Sequence, residues 1–218
     1  MPVTEWFIIK SLTIPSSWLA VLLAILITGI IVWRKFGKET EDWFSDAAIL
    51  FLLVWKFSVV LTDFKLIIDS PLSILYFNGG RLGLFLGLSA ALLKLLWRFR
   101  QKNWPVSELV ALLFSIVMLQ SVYQIIMVLV NEALLWQKII TVVLFVALVT
   151  LTWLKISISS TWQIQLTFLF LFTHIFVALI QPQGILQSPL FVTGIFVICG
   201  SLAYVLTNKQ LEFTEEKL

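Results

Sequence analysis

The chain has 218 residues, 60% of them hydrophobic and only 12% charged, with a formal net charge of +3. A soluble domain carries about a quarter charged residues, so a mean hydropathy of +1.02 excludes an ordinary soluble enzyme and points to an integral membrane protein. The basic residues sit in short stretches at the ends of apolar runs, which excludes nucleic acid as a partner.

The chain opens with Glu5 and Lys10 rather than a basic start. The apolar run after Pro15 ends in Trp33-Arg34-Lys35 with no small-x-small cleavage site, so it is expected to stay in the mature protein. Lipid offers open backbone groups no partner, and a span takes about 20 apolar residues. Helical spans are therefore expected near 15–33, 43–61, 79–97, 106–130, 139–154, 162–180 and 190–206. The expected fold is an all-α polytopic membrane protein, one seven-helix domain over residues 1–218. The 10 Trp and 18 Phe suit a bilayer with aromatic interfaces.

Lys and Arg give the direction. One set of flanks holds Arg34, Lys35, Lys38, Lys94, Arg98, Arg100, Lys102, Lys155, Lys209 and Lys217; the other holds Lys10, Lys65 and Lys138. Ten against three predicts an external N-terminus and a cytoplasmic C-terminus, with Lys56 and Arg81 left within or at the edge of spans.

On that direction the polar residues collect in the outer half. Lys56 lies in the outer half of span two, and Asn78 and Arg81 stand at the outer mouth of span three. Gln120, Gln124, Asn131 and Glu132 come progressively nearer the exterior along span four, while His174 falls in the outer half of span six with Gln181 just beyond it. Ionisable groups within spans are costly, which makes function the default expectation, and Arg suits forked hydrogen bonds to phosphate. Two readings stay open for Lys56 and Arg81: snorkelling to the surface, or a pocket for headgroups. Between spans two and three, "DSPLSILYF" (69–77) is too short to cross and is expected along the interface.

Gly79, Gly83, Gly87 and Ala91 recur every four residues, a small-residue stripe that lets two membrane helices approach closely. Arg81 lies about 200° around the helix from that stripe. His174 has no second metal-type ligand at helical spacing, so no metal and no cofactor is expected, and the single Cys199 excludes a redox pair.

Several segments resemble the bacterial prolipoprotein diacylglyceryl transferase family. "PSSWLAVLLAILITG" (15–29) looks like its first span, and "LVWKFSVVL" (53–61) like a second-span motif with Lys56 where the family usually has Arg. "SPLSILYFNGGRLGLFLG" (70–87) is similar to its Pro-led stretch before a double glycine. Gly79-Gly80 matches either a first glycine pair or, with Asn78, a His-Gly-Gly; the family's histidine is absent both ways. "THIFVALIQPQGILQSPLFVTGI" (173–195) resembles its Arg-Phe-x-x-Glu-x-x-Arg stretch, with His174, Ala178 and Gln181 at the charged positions and Gly184, Ser188 and Pro189 agreeing beyond. In "SVYQIIMVLVNEAL" (121–134) only Asn131-Glu132 matches the family signature.

The resemblance implies seven spans, an external N-terminus, and transfer of diacylglycerol from phosphatidylglycerol to a lipobox cysteine outside the bacterial plasma (inner) membrane. The missing arginines imply a non-catalytic or strongly divergent relative, with no residue assigned to catalysis. It would bind an anionic phospholipid such as phosphatidylglycerol, a lipoprotein precursor or another membrane protein, through Lys56, Asn78, Arg81, Gln120, Gln124, His174 and Gln181. The alternative is an active transferase using Lys56, Arg81 and His174 as substitute cations. A transporter is disfavoured because no carboxylate relay or pair of broken helices lies at mid-depth.

Overall fold

The structure, a computed structural model, describes residues 2–9, 12–101 and 106–215. Lys10, Lys102 and Lys217, counted above for sidedness, lie outside the described residues. A hairpin of β1 (Trp6–Ile9) and β2 (Leu12–Pro15) precedes α1 (Ser16–Phe36) and α2 (Lys38–Phe57). Two short helical pieces follow, α3 (Val59–Thr62) and α4 (Phe64–Asp69), then α5 (Gly80–Gln101). The chain continues through α6 (Val106–Val130), α7 (Leu135–Lys155), α8 (Ser160–Ile180) and α9 (Ser188–Glu215).

Among the described residues seven helices are long and apolar enough to cross a membrane, α2 and α3 counting as one and α5 and α9 contributing Gly80–Arg98 and Ser188–Val205. The fold is all-helical apart from this short hairpin, the one strand pairing among the described residues. Its first strand reads Trp-Phe-Ile-Ile, without the polar alternation that marks a half-buried strand. The register sets Trp6 opposite Pro15 and Ile9 opposite Leu12. Contacts divide the chain into two compact units, residues 1–36 with 104–218, and residues 37–103.

In the larger unit α6 is central. Every residue from Leu109 to Met118 is buried, which a one-sided amphipathic helix would not give, and α1, α7, α8 and α9 each pack on it. Lipid tails are as apolar as Leu, so close packing and interhelical hydrogen bonds hold such helices together. Both kinds of contact appear at the two ends of α1. At its start, Asn131 Oδ1 accepts from Ser16 Oγ at 2.8 Å, from Thr4 N at 2.8 Å and from Glu5 N at 3.2 Å. Asn131 Nδ2 donates back to Met127 O at 2.9 Å. At its far end Lys35 Nζ donates to Trp153 O at 2.9 Å and stands 4.3 Å from the Trp153 ring centroid and 5.3 Å from that of Phe114.

In the smaller unit α5 packs on α2 with three glycines at the contact. A Cβ on Gly87 would sit 2.7 Å from Phe51 O, and one on Gly83 would sit 3.0 Å from Trp55 O. One on Gly79 would meet the Ser58 side chain, with Ser58 Cβ 2.8 Å away. Helix backbones this close leave no room for a methyl group, which explains glycine there. Ala91, the next position along, is buried. From Phe64 to Phe77 the chain does not span. Phe64, Ile68, Leu72, Tyr76 and Phe77 are all exposed, as suits a segment lying along a lipid interface.

Candidate functional site

The seven candidate residues fall into both units: Lys56, Asn78 and Arg81 in the smaller, Gln120, Gln124, His174 and Gln181 in the larger.

In the smaller unit the end of α2 and the start of α5 are clasped. Gly79 N donates to Trp55 O at 3.2 Å, and Trp55 Nε1 donates to Gly80 O at 3.2 Å. Gly80 has φ +55, a backbone that glycine adopts without strain. Asn78 Oδ1 accepts from Gly80 N at 2.7 Å, a local turn of the kind that starts helices. The Asn78 oxygen therefore serves the chain's own backbone. Lys56 follows Trp55 and Arg81 follows Gly80, so the clasp brings both cations to one end of this unit. Lys56 is half-buried and Arg81 is exposed.

In the larger unit a buried polar chain links three helices. Gln124 Nε2 on α6 lies 2.9 Å from His174 Nε2 on α8, and His174 Nδ1 lies 2.6 Å from Thr193 Oγ1 on α9. With the Gln124 amide nitrogen donating, His174 Nε2 accepts and the neutral ring carries its proton on Nδ1, which donates to Thr193. Thr193 in turn donates to Pro189 O at 3.2 Å, and that carbonyl also accepts from Gln120 Nε2 at 3.0 Å. Phe145 of α7 closes the fourth side, edge-on to the His174 ring at 5.8 Å. His174 and Thr193 are 0% exposed and Gln124 1%. Gln181 is buried at the end of α8. One helix pair further, Gln137 Nε2 of α7 donates to Ile180 O of α8 at 2.6 Å.

This chain carries no carboxylate and no cation, and its members bond mainly to one another. It can join helices; it offers no group for stabilising a leaving phosphate. Among the described residues no cluster of three His, Cys, Asp or Glu could hold a metal ion. Sequence reasoning passed over Thr193, because a span Thr ordinarily bonds back into its own helix; its spacing of 19 from His174 carries no signal. Asp46 of α2 and Lys94 of α5, far apart in sequence, form an ion pair at 2.9 Å. Comparison of the chain with protein-family models, with characterised proteins and with solved structures yields no match.

Proposed function

We propose that this chain is a multi-pass protein of the bacterial plasma membrane, a non-catalytic relative of the prolipoprotein diacylglyceryl transferases. It holds an anionic phospholipid, or the lipid-bearing end of a lipoprotein, at the outer leaflet. The observation that carries the reading is the Trp55 clasp, which gathers Lys56 and Arg81 at one end of the α2–α5 pair. The exposed apolar stretch from Phe64 to Phe77 joins those two helices. Two cations at one end of a helix pair and an interfacial segment are what a phosphodiester headgroup with two acyl chains needs. Loss of the reaction is supported by chemistry. At the positions where the resemblance expects Arg, Glu and Arg stand His174, Ala178 and Gln181, at 0%, 0% and 4% exposure, and a transferase needs charge facing its substrate.

The test uses purified full-length protein, phosphatidylglycerol and a lipobox peptide. The expected outcome is no diacylglyceryl transfer, with co-purified phosphatidylglycerol reduced roughly tenfold in a Lys56→Gln/Arg81→Gln variant. Robust turnover abolished by Arg81→Ala would instead establish an active transferase, and unchanged lipid in the double variant would remove these two residues from the site.

A further inference from the structure

The two ends of α1 are joined to Asn131 and to Trp153, and its middle carries a third polar point. The hydroxyls of Ser115, Thr150, Thr152, Thr167, Thr193 and Thr207 each bond the carbonyl four residues back in their own helix, at 2.7–3.2 Å. That is the ordinary partner of a hydroxyl within a span. Thr28 of α1 and Ser121 of α6 do otherwise. Both are 0% exposed, and among the described residues neither hydroxyl has a hydrogen-bond partner.

The two hydroxyls come from facing helices at one level. The buried residues Ser16, Ala20, Ala24, Thr28 and Val32 recur every four and form the face of α1 that packs on α6. Ser121 stands seven residues from Phe114 and seven from Val128, two turns each way, so the three share a stripe of α6. That stripe faces α1: the Phe114 ring lies 5.2 Å from that of Phe36, and Val128 clusters with Ala20. The two helices run antiparallel. Thr28 is twelve residues from Ser16, and twelve back from its partner Asn131 is position 119. It is eight from Phe36, and eight beyond Phe114 is position 122. Ser121 falls between those bounds.

One turn further along α6, Gln124 adds an acceptor. Its Nε2 is engaged with His174, while its Oε1 is buried without a partner among the described residues. Helix side chains lean toward the N-terminus, and residues three apart are surface neighbours, so this amide leans over the turn that holds Ser121. Thr28 lies about 18 Å along a helix of about 31 Å, far from bulk water, where unbonded polar atoms are costly. The three groups are neutral, which suits a neutral ligand rather than an ion. Two hydroxyls that can donate and an amide oxygen that can only accept call for a small molecule able to do both.

We infer that Thr28, Ser121 and Gln124 hold one structural water molecule between α1 and α6. It accepts from both hydroxyls and donates to Gln124 Oε1, three hydrogen bonds being the usual number for a buried water. The site does not depend on the lipid binding proposed above.

The experiment uses the full-length protein, with water itself as the probe. In bilayers, solid-state magnetic resonance follows polarisation passing from water protons to side-chain methyls. The Thr28 methyl should receive it, while the Ala24 methyl, one turn away and 0% exposed, should not. The Thr28 signal should vanish in Ser121→Ala, and the wild-type comparison decides alone if a variant does not fold. Unfolding in detergent gives an independent reading. Thr28→Val and Ser121→Ala should each lower the folding equilibrium constant roughly fivefold. The double variant should fall no further than the worse single, because the first change already releases the water. Transfer at Thr28 no greater than at Ala24, additive costs, or a gain in stability in either single variant would overturn the assignment. Coupling without transfer would show a direct Thr28–Ser121 hydrogen bond and would overturn it too.

Discussion

The Ser16 hydroxyl donates to Asn131 Oδ1 at 2.8 Å across 115 residues of chain, joining the first turn of α1 to the end of α6. Two backbone amides, of Thr4 and Glu5, share that oxygen. Asn131→Leu would remove the acceptor shared by the buried Ser16 hydroxyl and the part-buried Thr4 and Glu5 amides, and is expected to cost about 2–4 kcal/mol. Asn131→Asp keeps the acceptor and should cost less. Unfolding in detergent, followed by helical circular dichroism, gives both values; equal costs would show that the oxygen is not the joint.

Gly87 and Gly194 make a matched pair of controls for helix contact. Gly87→Ala places a methyl 2.7 Å from Phe51 O, whereas a Cβ on Gly194 meets nothing within 4 Å. The first should lose about 1–3 kcal/mol by forcing α5 from α2. The second should stay within about 0.5 kcal/mol of the parent. The same unfolding measurement separates them.

For the buried chain, His174→Leu and Gln124→Leu should each destabilise by about 1–3 kcal/mol, since each leaves the other's polar group alone in the core. Together they should cost less than their sum by about 0.5–2 kcal/mol, the worth of one interhelical hydrogen bond in a membrane protein. A double-mutant cycle measures that coupling. Phosphatidylglycerol retained by the double variant should match the parent, because these residues join helices and touch no lipid in the proposed function.

Sidedness is tested by labelling. In a Cys199→Ser background, Glu132→Cys should react with an impermeant maleimide on intact cells. Ser157→Cys, beyond the other end of α7, should react only after the membrane is opened. The reverse pattern would place the cation-rich ends outside, against the bias of Lys and Arg.

Hydropathy made the seven helices legible, because crossing lipid demands a long apolar run whatever the neighbours are. It is a gauge of depth, though, and helices continue past the lipid. Span two, expected from 43, starts at Lys38 with Glu39 and Glu41 in its first turn, where acidic groups favour a helix start. Span five, expected from 139, starts at Leu135, because the Gln137 side chain accepts from Leu134 N at 3.3 Å and caps it. A polar residue that lowers the hydropathy score thus begins the helix. At the candidate site, Gln124 and His174 stood out because such residues are rare in spans. Their mutual contact, and Thr193 on the far side of the ring, depend on how α6, α8 and α9 rotate against one another. No single helix records that rotation. The Asn131 joint was hidden too: besides the Ser16 hydroxyl, its partners include backbone amides, which every sequence has.

The two joints of α1 have a consequence for biosynthesis. Ser16 waits 115 residues for Asn131, and Lys35 waits 118 for Trp153. At ~5–20 residues per second, the first partner emerges from the ribosome roughly 6–23 s after its mate. During that interval α1 carries its Ser16 and Thr28 hydroxyls without the helix that later encloses them. Surveillance proteases and insertion factors have their opening then, so codon changes that slow translation between the two halves should lower yield without altering the finished molecule.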